Sequence, residues 1–120
     1  MADYDLQIKQ EPFVWLKSGR KDLDVRVGYP KIRRICTWDR IRFLFEGKPI
    51  HVKVLAVRSY PSFEQMLESE DHRRIAPDYT KEALLVKLYE LFPFDVKQLE
   101  VFVIEFRRED DDQPAGEQAV

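Results

Sequence analysis

A chain of 120 residues that is 44% hydrophobic, with eight Phe, five Tyr and two Trp, has room for one domain with an ordinary core. No apolar run reaches the length of a membrane span, and a single Cys36 with only His51 and His72 beside it excludes an internal disulfide and zinc-type ligand spacing. The net charge of −2 hides a division: residues 9–58 hold thirteen Lys/Arg against five Asp/Glu, a net of +8, and the rest hold seven against seventeen, a net of −10.

A basic first half is the usual footprint of a nucleic-acid or phosphate partner. Basic strands and an acidic helical segment that neutralise one another across the fold would give the same count. The start Met-Ala-Asp-Tyr-Asp is acidic, unlike a secretory signal, so the expected location is cytoplasmic. No metal, cofactor or membrane partner is expected.

Leu6 and Ile8 alternate with polar neighbours and predict a short first strand. Pro12 suits a first helical position; Phe13, Leu16 and Lys17 follow at helix spacing, and Ser18-Gly19 closes the helix. The next stretch alternates strictly. Leu23, Val25 and Val27 point one way, and Asp22, Asp24 and Arg26 the other, with Lys21 at the mouth of the charged row. Such a row makes either a small polar site or an amphipathic strand whose self-paired charges face water.

Gly28 to Ile35 reads as a basic loop, in which Lys31, Arg33 and Arg34 are placed to meet a phosphate backbone or simply to be solvated. Ile41, Phe43 and Phe45 alternate with Arg40 and Arg42, Glu46 to Pro49 reads as a turn, and Ile50, Val52, Val54 and Ala56 return as the second arm of a hairpin. His51 belongs to its polar face.

After Tyr60-Pro61 the period changes. Ser62 with Gln65 has the form of a capping box, and Phe63, Met66 and Leu67 recur at helix spacing. Residues 72–78 read as a loop. Thr80 caps a second helix carrying Leu84, Leu88 and Leu91, which Pro93 ends. Leu99 to Phe106 is apolar on both faces and predicts a buried central strand. Residues 1–108 therefore form one domain, and the acidic run from 109 to 120 is expected to be a disordered tail. No Gly-rich phosphate loop or Gly-x-Ser-x-Gly elbow is present.

The order of these segments resembles the ASCH family, a branch of the PUA-like fold. The segments are Gly19 to Arg26, Asp39 to Phe43, Tyr60 to Leu67, Leu84 to Tyr89 and Val101 to Phe106, spanning roughly residues 5–107. The resemblance implies an α+β fold, a PUA-like mixed β-barrel of about five to six strands with short helices flanking a cleft. It implies RNA or nucleotide binding in a cleft lined by the segment holding Gly19, Arg20, Lys21, Asp24 and Arg26, with Tyr60 and Ser62 from the later motif as candidates; Arg33 and Arg34 of the basic loop are the expected contacts to the phosphate backbone.

Some similar proteins include a small amidohydrolase acting on N4-acetylcytidine, and another relative acts as a ribonuclease. On that alternative Lys21 and Asp24 would be catalytic, although Asp24 stands where the amidohydrolase has Thr. Its Glu finds no clean match near Asp71 to Arg74. The two carboxylates beside Lys21 raise its pKa and oppose a role as base. Trp38 replaces the Gly of a usual Gly-Asp turn and reads as a packed side chain, with a stacking surface for a base as the other possibility. A third expectation is a protein partner engaged through the acidic tail.

Overall fold

The alternation of Ile41 and Phe43 with arginines, and of Ile50, Val52 and Val54 with polar residues, folds back on itself through the two-residue turn Glu46-Gly47. In the computed structural model, which describes residues 1–92 and 99–109, this hairpin is part of the following order. The elements are β1 (Asp3–Gln7), α1 (Gln10–Lys17), β2 (Leu23–Val27), α2 (Pro30–Arg33), β3 (Arg40–Phe45), β4 (Lys48–Tyr60), α3 (Phe63–Ser69), α4 (His72–Ile75), α5 (Lys81–Leu91) and β5 (Val101–Arg108).

The strands form one sheet in the order β1-β3-β4-β5-β2. Only β1 pairs in parallel, with β3; the other neighbours are antiparallel. The sheet curls into a half-barrel, so the architecture is mixed α+β with short helices set around it. Its two edge strands approach each other where Arg26 of β2 donates from Nη2 to the Gln7 carbonyl of β1 at 3.0 Å.

Curling gives the sheet two cores. Leu23, Val25 and Val27 of β2 and Val101 and Val103 of β5 pack with Phe63, Met66, Leu67, Ile75, Leu84 and Leu88 of α3 to α5. Leu6, Ile41, Phe43, Ile50, Val52, Val54, Ile104 and Phe106 pack on the other face with Leu16, Ile32 and Ile35. β5 therefore contributes alternate residues to both cores, as its doubly apolar sequence requires.

A register shift in β4 between Val54 and Ala56 re-aims the second half of that long strand. Before it, Lys53 lies opposite Arg40 and Arg107 on a face that the helices leave open. After it, Arg58 and Tyr60 lie opposite Val103 and Val101, on the face that the helices cover.

Several expectations change here. The basic loop at 28–35 contains the one-turn helix α2, and the loop at 72–78 contains α4. Four residues are too few for a hydrophobic period to show in sequence. Of the two readings of the charged row on β2, a wholly solvated face does not hold, since Asp24 is buried. The curled sheet covers this face too. The helix-ending Pro93, and the tail beyond Glu109, lie outside the described residues. No helix among the described residues is long and apolar enough to cross a membrane.

Candidate functional site

Helix α1 delivers Lys21 through a left-handed cap. Gly19 has φ 77°, its N–H reaches the Leu16 carbonyl at 3.1 Å, and the Arg20 N–H reaches the Trp15 carbonyl at 2.9 Å. That pair of bonds is the Schellman pattern, and glycine adopts its φ without penalty. Gly19 thus serves to end the helix. Arg20 turns away to an exposed pair with Asp78 at 2.6 Å, and the Trp15 indole N–H donates to the same carboxylate at 2.8 Å. A shallow groove of about 450 Å³, lined by Lys9, Gln10, Glu11, Val14, Trp15 and Asp78, runs beside that pair.

Lys21 points inward and is 5% exposed. Its Nζ donates to the Leu23 carbonyl at 2.6 Å and the Ile75 carbonyl at 2.8 Å, and stands 3.7 Å from Asp24 Oδ1. Two of the three ammonium N–H groups are therefore taken by backbone carbonyls, and Asp24 adds an ion pair at a longer distance. Burial pushes the Lys21 pKa below its ordinary value; Asp24 works against that shift without reversing it. Asp24 also accepts from Arg26 Nε at 2.6 Å. Arg26 is therefore held at two points, by Asp24 and by the Gln7 carbonyl, while its Nη1 has no partner among the described residues. The result is a half-buried guanidinium whose free edge lies at the mouth between β1 and β2.

A second polar cluster joins the first through Asp22. Arg74 grips Asp22 with Nε at 2.8 Å and Nη2 at 3.1 Å, and Nη2 also reaches Glu105 at 3.1 Å. Arg58 donates Nη1 to Glu105 at 2.8 Å and grips Glu70 with Nε at 2.6 Å and Nη2 at 3.0 Å. Tyr60 completes the chain by donating its hydroxyl to Glu70. The Arg58 and Arg74 hydrogen bonds hold the Glu105 carboxyl below its ordinary range. Burial pushes Glu70 up, but its bonds to Arg58 and Tyr60 outweigh that and leave it lowered. Burial and the bond to Glu70 both raise the Tyr60 pKa.

Of the residues singled out in sequence, the structure brings Lys21, Asp24 and Arg26 together. Tyr60 belongs to the second cluster and hydrogen-bonds Glu70. Ser62 is an N-cap, its hydroxyl accepting from the Gln65 N–H at 3.1 Å. Arg33 is spent on its own surroundings: it donates to the carbonyls of Gly28 and Leu99, pairs with Glu100, and lies over the Phe102 ring at 5.1 Å. Lys31 donates to the Asp5 carbonyl and Arg42 pairs with Asp5. Arg34 alone of that basic segment is exposed with no side-chain partner among the described residues.

Trp38 is 55% exposed, so it is not the packed side chain its type suggests. Arg58, Glu70, Arg74 and Glu105 were not legible as a cluster; their pairs span 12 to 52 residues and leave no local pattern. Among the described residues no group of three His, Cys, Asp or Glu side chains is placed to hold a metal ion.

No family model matches this chain, and no curated protein matches it. Among solved structures, the crystal structure of hypothetical protein PH0355 is similar over 88% of this chain and 98% of that one, at 30% identity and a TM-score of 0.78. The solution structure of protein PF0455 from Pyrococcus furiosus is similar over 90% of this chain and 98% of that one, at 26% identity and a TM-score of 0.74.

Proposed function

This chain belongs to the same family as hypothetical protein PH0355, and we propose that it is a PUA-like domain of the ASCH type that binds RNA or a nucleotide. The observation that carries the reading is Arg26. Its guanidinium is fixed by Asp24 and the Gln7 carbonyl before any ligand arrives, and Nη1 is left as an outward donor edge. A preorganised arginine fork suits a phosphate oxygen or a base edge, and little side-chain entropy remains to be lost on binding. Lys21 lies behind it as a positioning residue that holds Asp24 and ties β2 to α4.

The second cluster does not strengthen the case for a polyanion site at that spot. Arg58 and Arg74 are balanced there by Asp22, Glu70 and Glu105. Phosphate contacts fall instead to Arg26 and to the exposed cations of the sheet.

The test is binding of a short single-stranded RNA to the wild type and to Arg26→Ala at several salt concentrations. The reading expects affinity that falls steeply with salt and drops about tenfold in the variant, the magnitude of a lost charge-assisted contact. Absent or salt-independent binding to both RNA and free nucleotides sinks it.

One observation favours hydrolysis of a modified nucleoside as a second reading: the lowered pKa of Lys21. Nζ is 5% exposed and held by two backbone carbonyls, so as a base or nucleophile it would have to lose a proton and turn away from both. Purified protein that leaves N4-acetylcytidine unchanged over a long incubation removes this reading for that substrate.

A further inference from the structure

We infer that Trp38 is a stacking platform for an unpaired base of single-stranded RNA, an inference that rests on the RNA-binding reading above. Trp38 has φ 76°, a conformation that favours glycine and disfavours any residue with a Cβ. Its side chain recovers little by packing, because the indole is 55% exposed.

The backbone around it is nevertheless pinned. Trp38 N–H donates to the Val54 carbonyl at 2.8 Å, Val54 N–H returns to the Asp39 carbonyl at 2.8 Å, and Asp39 N–H reaches Cys36. The buried Asp39 carboxylate accepts from the N–H groups of Ala2 and Cys36. A rigid turn therefore holds a large aromatic ring out in water at a position where glycine would fit better. Folding does not account for that choice; a ligand with a π-face does.

The ring's neighbours identify the ligand. Lys53 Nζ stands 5.9 Å from the indole centroid. Lys53 is flanked across the sheet by Arg40 and Arg107, and exposed Arg34 lies four residues before Trp38. Glu109 pairs with Arg40 beside this patch at 3.5 Å. An aromatic face bordered by cations is the combination that single-strand binders use, with bases stacking on the ring and phosphates meeting the charges. Inside a duplex both faces of a base are covered by its stacked neighbours, so the ligand is single-stranded. Trp38 and Arg26 lie near opposite ends of β1, beside Ala2 and Gln7 respectively, so a single strand touching both would run along β1.

The experiment measures fluorescence anisotropy of a labelled oligouridylate of about ten nucleotides, within the site size of single-strand binders. It uses the wild type, Trp38→Gly and Arg26→Ala, with thermal midpoints recorded for each. Trp38→Gly is expected to bind about tenfold more weakly, the loss typical of one stacked base, with a thermal midpoint equal to or above that of the wild type. Tryptophan emission of the wild type should also be quenched on saturation, leaving the signal of buried Trp15.

If Trp38→Gly binds as the wild type does, the platform is overturned. A weakened Arg26→Ala in that same experiment keeps the RNA-binding reading standing. An affinity loss that comes with a lowered midpoint makes Trp38 a structural residue and overturns the inference equally. A wild type that does not bind the oligouridylate overturns the platform, and one that binds no free nucleotide either overturns the binding reading as well.

Discussion

Arg58 holds Glu70 by two hydrogen bonds, Nε at 2.6 Å and Nη2 at 3.0 Å, across the junction between β4 and the end of α3. The carboxylate is only 6% exposed, so Arg58 and Tyr60 supply most of what water would have given it. Glu70→Ala leaves a half-buried guanidinium without its principal partner and is expected to destabilise the domain by about 1–3 kcal/mol. Denaturant unfolding measures it, and an unchanged midpoint would show that Glu105 alone satisfies Arg58.

The carboxylates that Arg58 holds contribute to acid stability. Glu70 and Glu105 both have folded-state pKa values below their ordinary 4.5. A depressed carboxylate contributes stability that is present above the unfolded value and is lost as pH falls through the folded one. Stability should therefore begin to decline near pH 4.5 and continue downward. In Glu70→Gln that decline should be shallower, as a pH series of unfolding midpoints would reveal.

Lys21 gives a slope of the same sign at the alkaline end. Burial lowers its folded pKa below the ordinary 10.5, so the unfolded chain binds more protons between the two values. Its contribution to stability should rise with pH across that window, up to 10.5. Subtracting the pH profile of Lys21→Met from that of the wild type isolates the term. A flat difference profile would mean that Asp24 cancels the burial.

Gly28 is held by close approach. A Cβ built there would lie 2.3 Å from the Leu99 carbonyl oxygen and 2.6 Å from the Phe102 ring. Gly28→Ala must push backbone apart and is expected to lose about 1–3 kcal/mol, the range of overpacking in a tight core. Thermal unfolding measures that loss directly.

Ser62→Ala separates a cap from a ligand contact. The variant loses the bond to the Gln65 N–H and should cost about 1 kcal/mol of stability. Its RNA affinity should match the wild type, whereas Arg26→Ala should lose affinity. Reversed outcomes would return Ser62 to the binding site.

The parts of the fold that could be read in advance are those with a local pattern. Ser62 and Thr80 cap the helices that follow them, and the alternation through Ile50, Val52 and Val54 faces a core as its period requires. The apolar run ending at Phe106 is a strand buried on both faces between β4 and β2. What escaped depends on distant chain. Asp24 reads as solvent-facing by alternation alone and becomes buried because the sheet curls and covers its second face. Arg74 finds Asp22, 52 residues away, through a helix of a single turn that has no periodic signal. Trp38 defeats the reading by residue type, since an indole is usually packed and this one is held outward by its turn.

β5 feeds Val101 and Val103 into one core and Ile104 and Phe106 into the other. Neither core can open while keeping that strand in place, so neither has an independent unfolding step. Slow amide exchange in the helix-covered half and in the hairpin half should share a single free energy of opening, and the domain should melt in one transition.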